Sequence, residues 1–179
     1  MAEPKVPANI EELTREQLLE LLSDMAKRWL AHDGFWFQAV ERHHGMEEAI
    51  RLDAEAWYGM TRNEAGRILR FMGESGGGGL AQLEQALGLR LYALLNEQES
   101  EWESERSLVF RMRTCRVQEA RRRKGLPDFP CKSVGIVEYS GFAEAVDPRI
   151  RTEVIACPPD EGPRDYACAW RFTIEEPTD

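Results

Sequence analysis

RIRTEVIACPPDEGPRDYACAWRFTIE, residues 149–175, is the stretch on which the fold turns. Residues 149–157 and 166–175 alternate apolar and polar side chains at a period of two. PPDEGPRD (158–165) between them is rich in turn formers. Two strands joined by so short a connection are most simply an antiparallel hairpin. In the second strand Cys168, Trp170, Phe172 and Ile174 share one face, the face that belongs against a core.

Working towards the N-terminus, CKSVGIVEYSGFAEAV (131–146) reads as a helix. It ends at Asp147-Pro148, because the residue before a proline disfavours the α region. Pro127 and Pro130 keep the preceding stretch extended, and a short helix over 116–124 ends at Gly125. In SLVFRMRT (107–114) Leu108, Phe110 and Met112 alternate with Val109, Arg111 and Arg113, which predicts another strand. The C-terminal half therefore reads β-α-α-β-β.

Before residue 107 the period is that of a helix. Thr14 opens the first helix as a capping box with Gln17. Leu18, Leu22, Met25, Trp29, Trp36 and Val40 form its seam, with His32 and Asp33 on it; Gly34 either bends or interrupts it. Gly45 marks a break. A second helix over 46–72 carries the stripe Ile50, Asp53, Trp57, Met60, Glu64, Ile68, Phe71. GESGGGG (73–79) reads as a flexible connector, and a third helix is expected over 80–98 with Leu83, Leu87, Leu91 and Leu94 on one side. The predicted class is α+β: an N-terminal helical layer packed on a small antiparallel sheet with two further helices. It is organised as a tail (1–13), the helical layer (14–106) and the cysteine-containing region (107–179), one compact domain overall.

The 179 residues carry 32 acids and 23 bases, a formal charge of −9. No apolar run approaches the roughly 20 residues that span a bilayer, and MAEPKVPANIEEL lacks the hydrophobic region of a signal peptide. The expected compartment is the cytoplasm, with no membrane partner. Residues 111–124 hold seven bases against one acid, whereas both flanking regions are acidic. A nucleic-acid binder spreads its basic field over a whole face. The short run is instead expected to contact the protein's own acidic helices, and nucleic acid is not an expected partner.

All four cysteines, Cys115, Cys131, Cys157 and Cys168, lie in the last third. They can be small buried hydrophobes. Disulfides are disfavoured without an export signal. The hairpin brings Cys157 near Cys168, Glu153 lies four residues before Cys157 and so on the same strand face, and Cys131 starts a helix, where thiolate is favoured. Three thiolates with a fourth thiolate or a carboxylate make a tetrahedral zinc set.

The stretch from Cys115 to Phe172 resembles 4-vinyl reductase-type ligand-binding domains and the related L-2-amino-thiazoline-4-carboxylic acid hydrolase family. Its pattern is Cys131, a helix, Glu153-Val154-Ile155-Ala156-Cys157, a short hairpin, then Cys168 with Trp170 and Phe172. The resemblance implies a structural zinc beside a pocket for a small organic molecule. Cys131, Cys157 and Cys168 would be ligands, with Cys115 or Glu153 competing for the fourth place. The whole chain, including AHDGFWFQAVE and KGLPDFPCKSVGIVEYSGFA, also looks like a family of uncharacterised cytosolic proteins.

A second constellation is helical. His32, Asp33, Asp53 and Glu64 lie on stripes that also carry Trp29, Trp36 and Trp57. Gathered in one core they suit acid–base work, a hard metal or a cationic ligand. Otherwise His32 pairs with a carboxylate and the rest reach arginines at the rim. The function expected first is a cytoplasmic zinc-containing small-molecule-binding protein. Its closed cysteine site would be structural, and its pocket walled by Trp29, Trp36 and Trp57 with the four polar residues as contacts. The alternative is a hydrolase of a heterocyclic or amino-acid-like substrate in which His32, Asp33, Asp53 and Glu64 are acid and base. A third reading makes the cysteines redox-active or iron–sulfur ligands. A homodimer stays open.

Overall fold

The computed structural model describes residues 9–174. Helix α1 (Arg15–His44) opens at the expected capping box: the Gln17 amide donates to Thr14 Oγ1 at 3.2 Å, and the Thr14 amide donates to Gln17 Oε1 at 3.0 Å. It runs unbroken through Gly34 to Gly45, where α2 (Met46–Met72) begins. The α2 helix ends at Gly73 in the left-handed conformation (φ 77°), whose amide, with that of Glu74, satisfies carbonyls of the last turn.

The glycine connector is tied down rather than loose. The Gly77 amide donates to the Val146 carbonyl at 2.8 Å and the Gly79 amide to Asp147 Oδ2 at 3.0 Å. A Cβ on Gly76 would lie 2.9 Å from that same carbonyl. Helix α3 then covers only Gly79–Leu87, followed by a 3-10 turn at Leu91–Leu94 and a strand β1 (Gln98–Ser104) where a continuing helix was expected. β1 has the alternation QESEWES with almost no apolar side chain, so no sequence period marks it. It exists because it adds to the edge of β2 (Ser107–Met112), with Ser100 opposite Phe110.

Helices α4 (Arg116–Arg123) and α5 (Lys132–Val146) and strands β3 (Ile150–Ala156) and β4 (Cys168–Ile174) complete the α+β fold. The sheet is antiparallel throughout in the order β1-β2-β4-β3. Its inner face, with Leu108 opposite Phe172 and Phe110 opposite Trp170, packs under α5. Arg171 reaches Glu103 and Glu153 across the outer face. α5 is the central element, meeting the sheet through Gly135 and α2 through Gly141, with Phe142, Ala143 and Val146 buried. The glycines are spacing devices: a Cβ on Gly141 would lie 2.7 Å from Thr61 Cγ2 of α2, and one on Gly135 2.8 Å from the Trp170 ring.

The stripes of the first two helices keep their period and shift their phase. On α1 the residues turned inward are Ala26, Leu30, Asp33 and Phe37, one position on from the expected seam. Leu22 and Met25 are half exposed, and Trp36 is 70% exposed. On α2 the buried line is Trp57, Thr61, Ala65 and Leu69, while Phe71 is 82% exposed. Both helices carry two adjacent apolar lines, and only the neighbour chooses between them. The basic run is largely consumed internally: Arg121 makes a bidentate pair with Glu41 at 2.8 and 2.9 Å, and Arg122 pairs with Asp128. Among the described residues no helix is long and apolar enough to cross a membrane.

Candidate functional site

A cavity of about 330 Å³ lies where α1, α2, α4 and α5 meet the end of the sheet. Each wall is positioned by a specific interaction. The Arg121–Glu41 pair, with Arg121 Nε donating to the Pro127 carbonyl at 2.7 Å, holds α4 against α1. The Gln118 amide donates to the Phe129 carbonyl and accepts from its N–H, both at 2.8 Å. That seats Phe129 on Phe37, with ring centroids 4.6 Å apart. Trp57 and Tyr92 line the α2 side, and Tyr139 stacks on Trp170 at 4.5 Å on the sheet side.

Behind Trp57, Tyr92 and Tyr139 lies Arg90, with a side chain only 1% exposed. Its guanidinium bonds Glu138 Oε1 at 2.6 Å and Glu64 Oε2 at 2.8–2.9 Å, and it is ringed by Trp57, Tyr92, Tyr139 and Phe142 at 4.8–5.8 Å. Burial opposes its charge, and Glu138 and Glu64 outweigh that, raising its pKa. Burial pushes Glu138 up, against the pull of Arg90.

Three carboxylates face the cavity: Asp33, Asp53 and Glu138. Asp53 is pushed up to about 7, first by burial and then by the like charges of Asp33 and Glu138, with the Trp57 indole pulling the other way. Asp33 is also raised by burial, opposed by neighbouring His32. Asp53 is therefore protonated or ionised near neutrality according to what enters the cavity. All four cysteines line it as well. Cys131 Sγ and Cys157 Sγ are 3.5 Å apart, and the Gln118 amide approaches Cys131 Sγ at 3.8 Å. Cys157 keeps its proton, since Cys131 and Cys168 engage its S–H and burial adds to this. Cys168 is lowered, chiefly by that Cys157 thiol. Burial pushes Cys115 up to about 12. The Trp170 Nε1–H is buried without a partner of hydrogen-bonding geometry.

Of the residues expected at a site, Asp33, Asp53 and Trp57 meet in the cavity wall. Trp29 backs Trp57 edge-on at 6.3 Å, whereas Trp36 and His32 face solvent on α1. Glu64 is taken up by Arg90, so the acid–base set proposed for a hydrolase is not assembled. The zinc site is also corrected: among the described residues no group of three or more His, Cys, Asp or Glu is arranged to hold a metal ion. Cys131 and Cys157 contact each other instead, and Cys115 caps the start of α4. Glu153 is on the wrong side altogether. A register shift between Val154 and Ala156 reverses the strand's parity, so Cys157 turns inward while Glu153 stays exposed and pairs with Arg171 at 3.0 Å. Sequence reasoning missed Glu138, Tyr92, Phe37 and Phe129. No local pattern marks the three aromatic residues, but a glutamate inside the apolar run of α5 was the available hint for Glu138.

A family profile described as a family of unknown function (DUF6125) matches residues 11–174. This is not the 4-vinyl reductase-type or hydrolase family that the cysteine pattern resembles. No curated protein matches the chain. Among solved structures, the chain is similar to a trafficking protein particle complex subunit 3 from Naegleria fowleri covalently bound to palmitic acid. The two share 13% identity at a TM-score of 0.49, over 90% of this chain and 98% of that one.

Proposed function

We propose a function for a chain that belongs to the DUF6125 family of unknown function: it binds a small organic molecule with an apolar, preferably aromatic body and one amine cation. The observation that carries this reading is the 330 Å³ cavity, walled by aromatic rings and holding Asp33, Asp53 and Glu138 together. Its volume is at the small end of ligand pockets. Aromatic faces and carboxylates both attract cations, and their attraction grows where water is excluded.

Asp53 is the adaptable partner. Empty, it shares a crowded site with two other acids and holds a proton close to neutral pH. An ammonium group beside it would favour its ionised form, so binding would release that proton at pH values below the range where Asp53 is already ionised.

The test is a thermal-shift and tryptophan-quenching screen of arylalkylamines against the matching neutral alcohols. Amines should bind more tightly than their alcohols, and Asp53→Asn should reduce that preference about tenfold. Ala120→Phe, which fills the cavity from α4, should abolish binding of both. Equal binding of amine and alcohol would remove the cationic preference. No binding by either, or binding unaffected by Ala120→Phe, would refute the cavity as the site.

A further inference from the structure

We infer that Cys131 and Cys157 are an oxidant-responsive dithiol in the cavity wall, forming a disulfide with a small hydroperoxide as co-reactant. Their sulfurs are already 3.5 Å apart. Rotations about the two side chains must bring them to about 2.05 Å, while the backbone is clamped on each side. The Lys132 amide donates to the Pro158 carbonyl at 2.9 Å, joining the residues that follow the two cysteines. Lys132 Nζ bonds both oxygens of Asp160 at 2.9 Å, and Asp160 in turn accepts from the Cys157 amide at 3.2 Å. The N-terminus of α5 is thereby latched to the end of β3.

Access and order follow from position. Cys131 is partly exposed and Cys157 buried, and both line the cavity. Cys131 stands at the N-terminus of the 15-residue α5, the more accessible member of the pair. The Cys131 sulfur gives up its proton and attacks one peroxide oxygen, and the O–O bond breaks. A sulfenic acid forms on Cys131, and the alkoxide or hydroxide leaves with a proton. The Cys157 sulfur then attacks Cys131 Sγ. The S–S bond forms, the sulfenic S–O bond breaks, and the Cys157 proton leaves with the hydroxide as water. Two thiols are oxidised by two electrons, and one hydroperoxide is reduced to an alcohol, or to water, plus water. This dithiol is independent of which ligand the cavity holds.

The experiment exposes reduced full-length protein to a small excess of hydrogen peroxide. Free thiols are then trapped with iodoacetamide, and intact masses and cross-linked peptides are read. The expected result is two alkylations fewer than in the untreated protein, and a Cys131–Cys157 peptide as the dominant linkage. It should form at least about tenfold faster in native buffer than in concentrated urea, because the fold holds the sulfurs together. The oxidised protein should melt about 5–10 °C higher, the effect of closing a loop of this length. Full alkylation of all four cysteines after oxidation would overturn the inference. So would a dominant Cys157–Cys168 linkage, over-oxidised Cys131 beside a free Cys157, or a rate in urea equal to the native one. Reading the linkage in the wild-type chain keeps the test valid if Cys131→Ser or Cys157→Ser fails to fold.

Discussion

Replacing Asp53 by asparagine should stabilise this protein at alkaline pH and leave it nearly unchanged in acid. In the unfolded chain Asp53 ionises near its ordinary 3.8, and in the folded chain at about 7. Between those values the unfolded state has lost a proton that the folded state retains, so raising the pH draws the equilibrium towards unfolding. The slope is about 1.4 kcal/mol per pH unit, and the full penalty, present above pH 7, is about 4 kcal/mol as an upper figure. Water reaching the cavity reduces it to roughly 2–3 kcal/mol. Asparagine is a neutral isostere of the protonated acid and can still accept from the Trp57 indole. Urea unfolding of both proteins at pH 5.5, 7 and 8.5, followed by fluorescence, gives the stability difference at each pH. Titrations common to both largely cancel in that difference. It should favour Asp53→Asn increasingly with pH, growing by about 1 kcal/mol from 5.5 to 8.5 after that reduction. A difference that stays flat, or that favours the wild type more as pH rises, would refute the argument that Asp53 is crowded by burial and by Asp33 and Glu138.

Four further expectations test the packing and the surface. Arg90→Met leaves Glu138 and Glu64 buried without their cation, and urea unfolding at pH 7 should show a loss of about 3–5 kcal/mol. Gly141→Ala forces a Cβ against Thr61 and should cost about 1–3 kcal/mol. Gly66→Ala, open on every side within α2, should instead gain about 0.5–1 kcal/mol in the same measurement. Glu153→Gln removes only an exposed pair with Arg171, and its stability should change by less than about 1 kcal/mol in a thermal melt.

Local chemistry was legible wherever it acts alone. The capping box at Thr14, the stop at Asp147-Pro148 and the β3–β4 hairpin depend on neighbouring residues, and each forms as its sequence directs. The α+β class follows from the change of period near residue 107. The four cysteines line one cavity with Asp53 and Trp57, although not as the metal set their spacing suggested. What no local pattern carries is the phase of a helix bearing two apolar lines, and this turned Trp36 and His32 to solvent and Asp33 inward. Nor does it carry the parity of β3, which a single extra residue between Val154 and Ala156 reverses, separating Glu153 from Cys157. The strand β1, nearly all polar, exists only because β2 offers it an edge. Glu64 belongs to Arg90 rather than to the cavity for the same kind of reason. A buried guanidinium must be neutralised by whatever carboxylates the fold brings within reach, and those lie 26 and 48 residues away in the chain. Period and capping are properties of a segment and can be read from it. Facing, register and the pairing of buried charges are properties of two segments at once, and only the tertiary structure decides them.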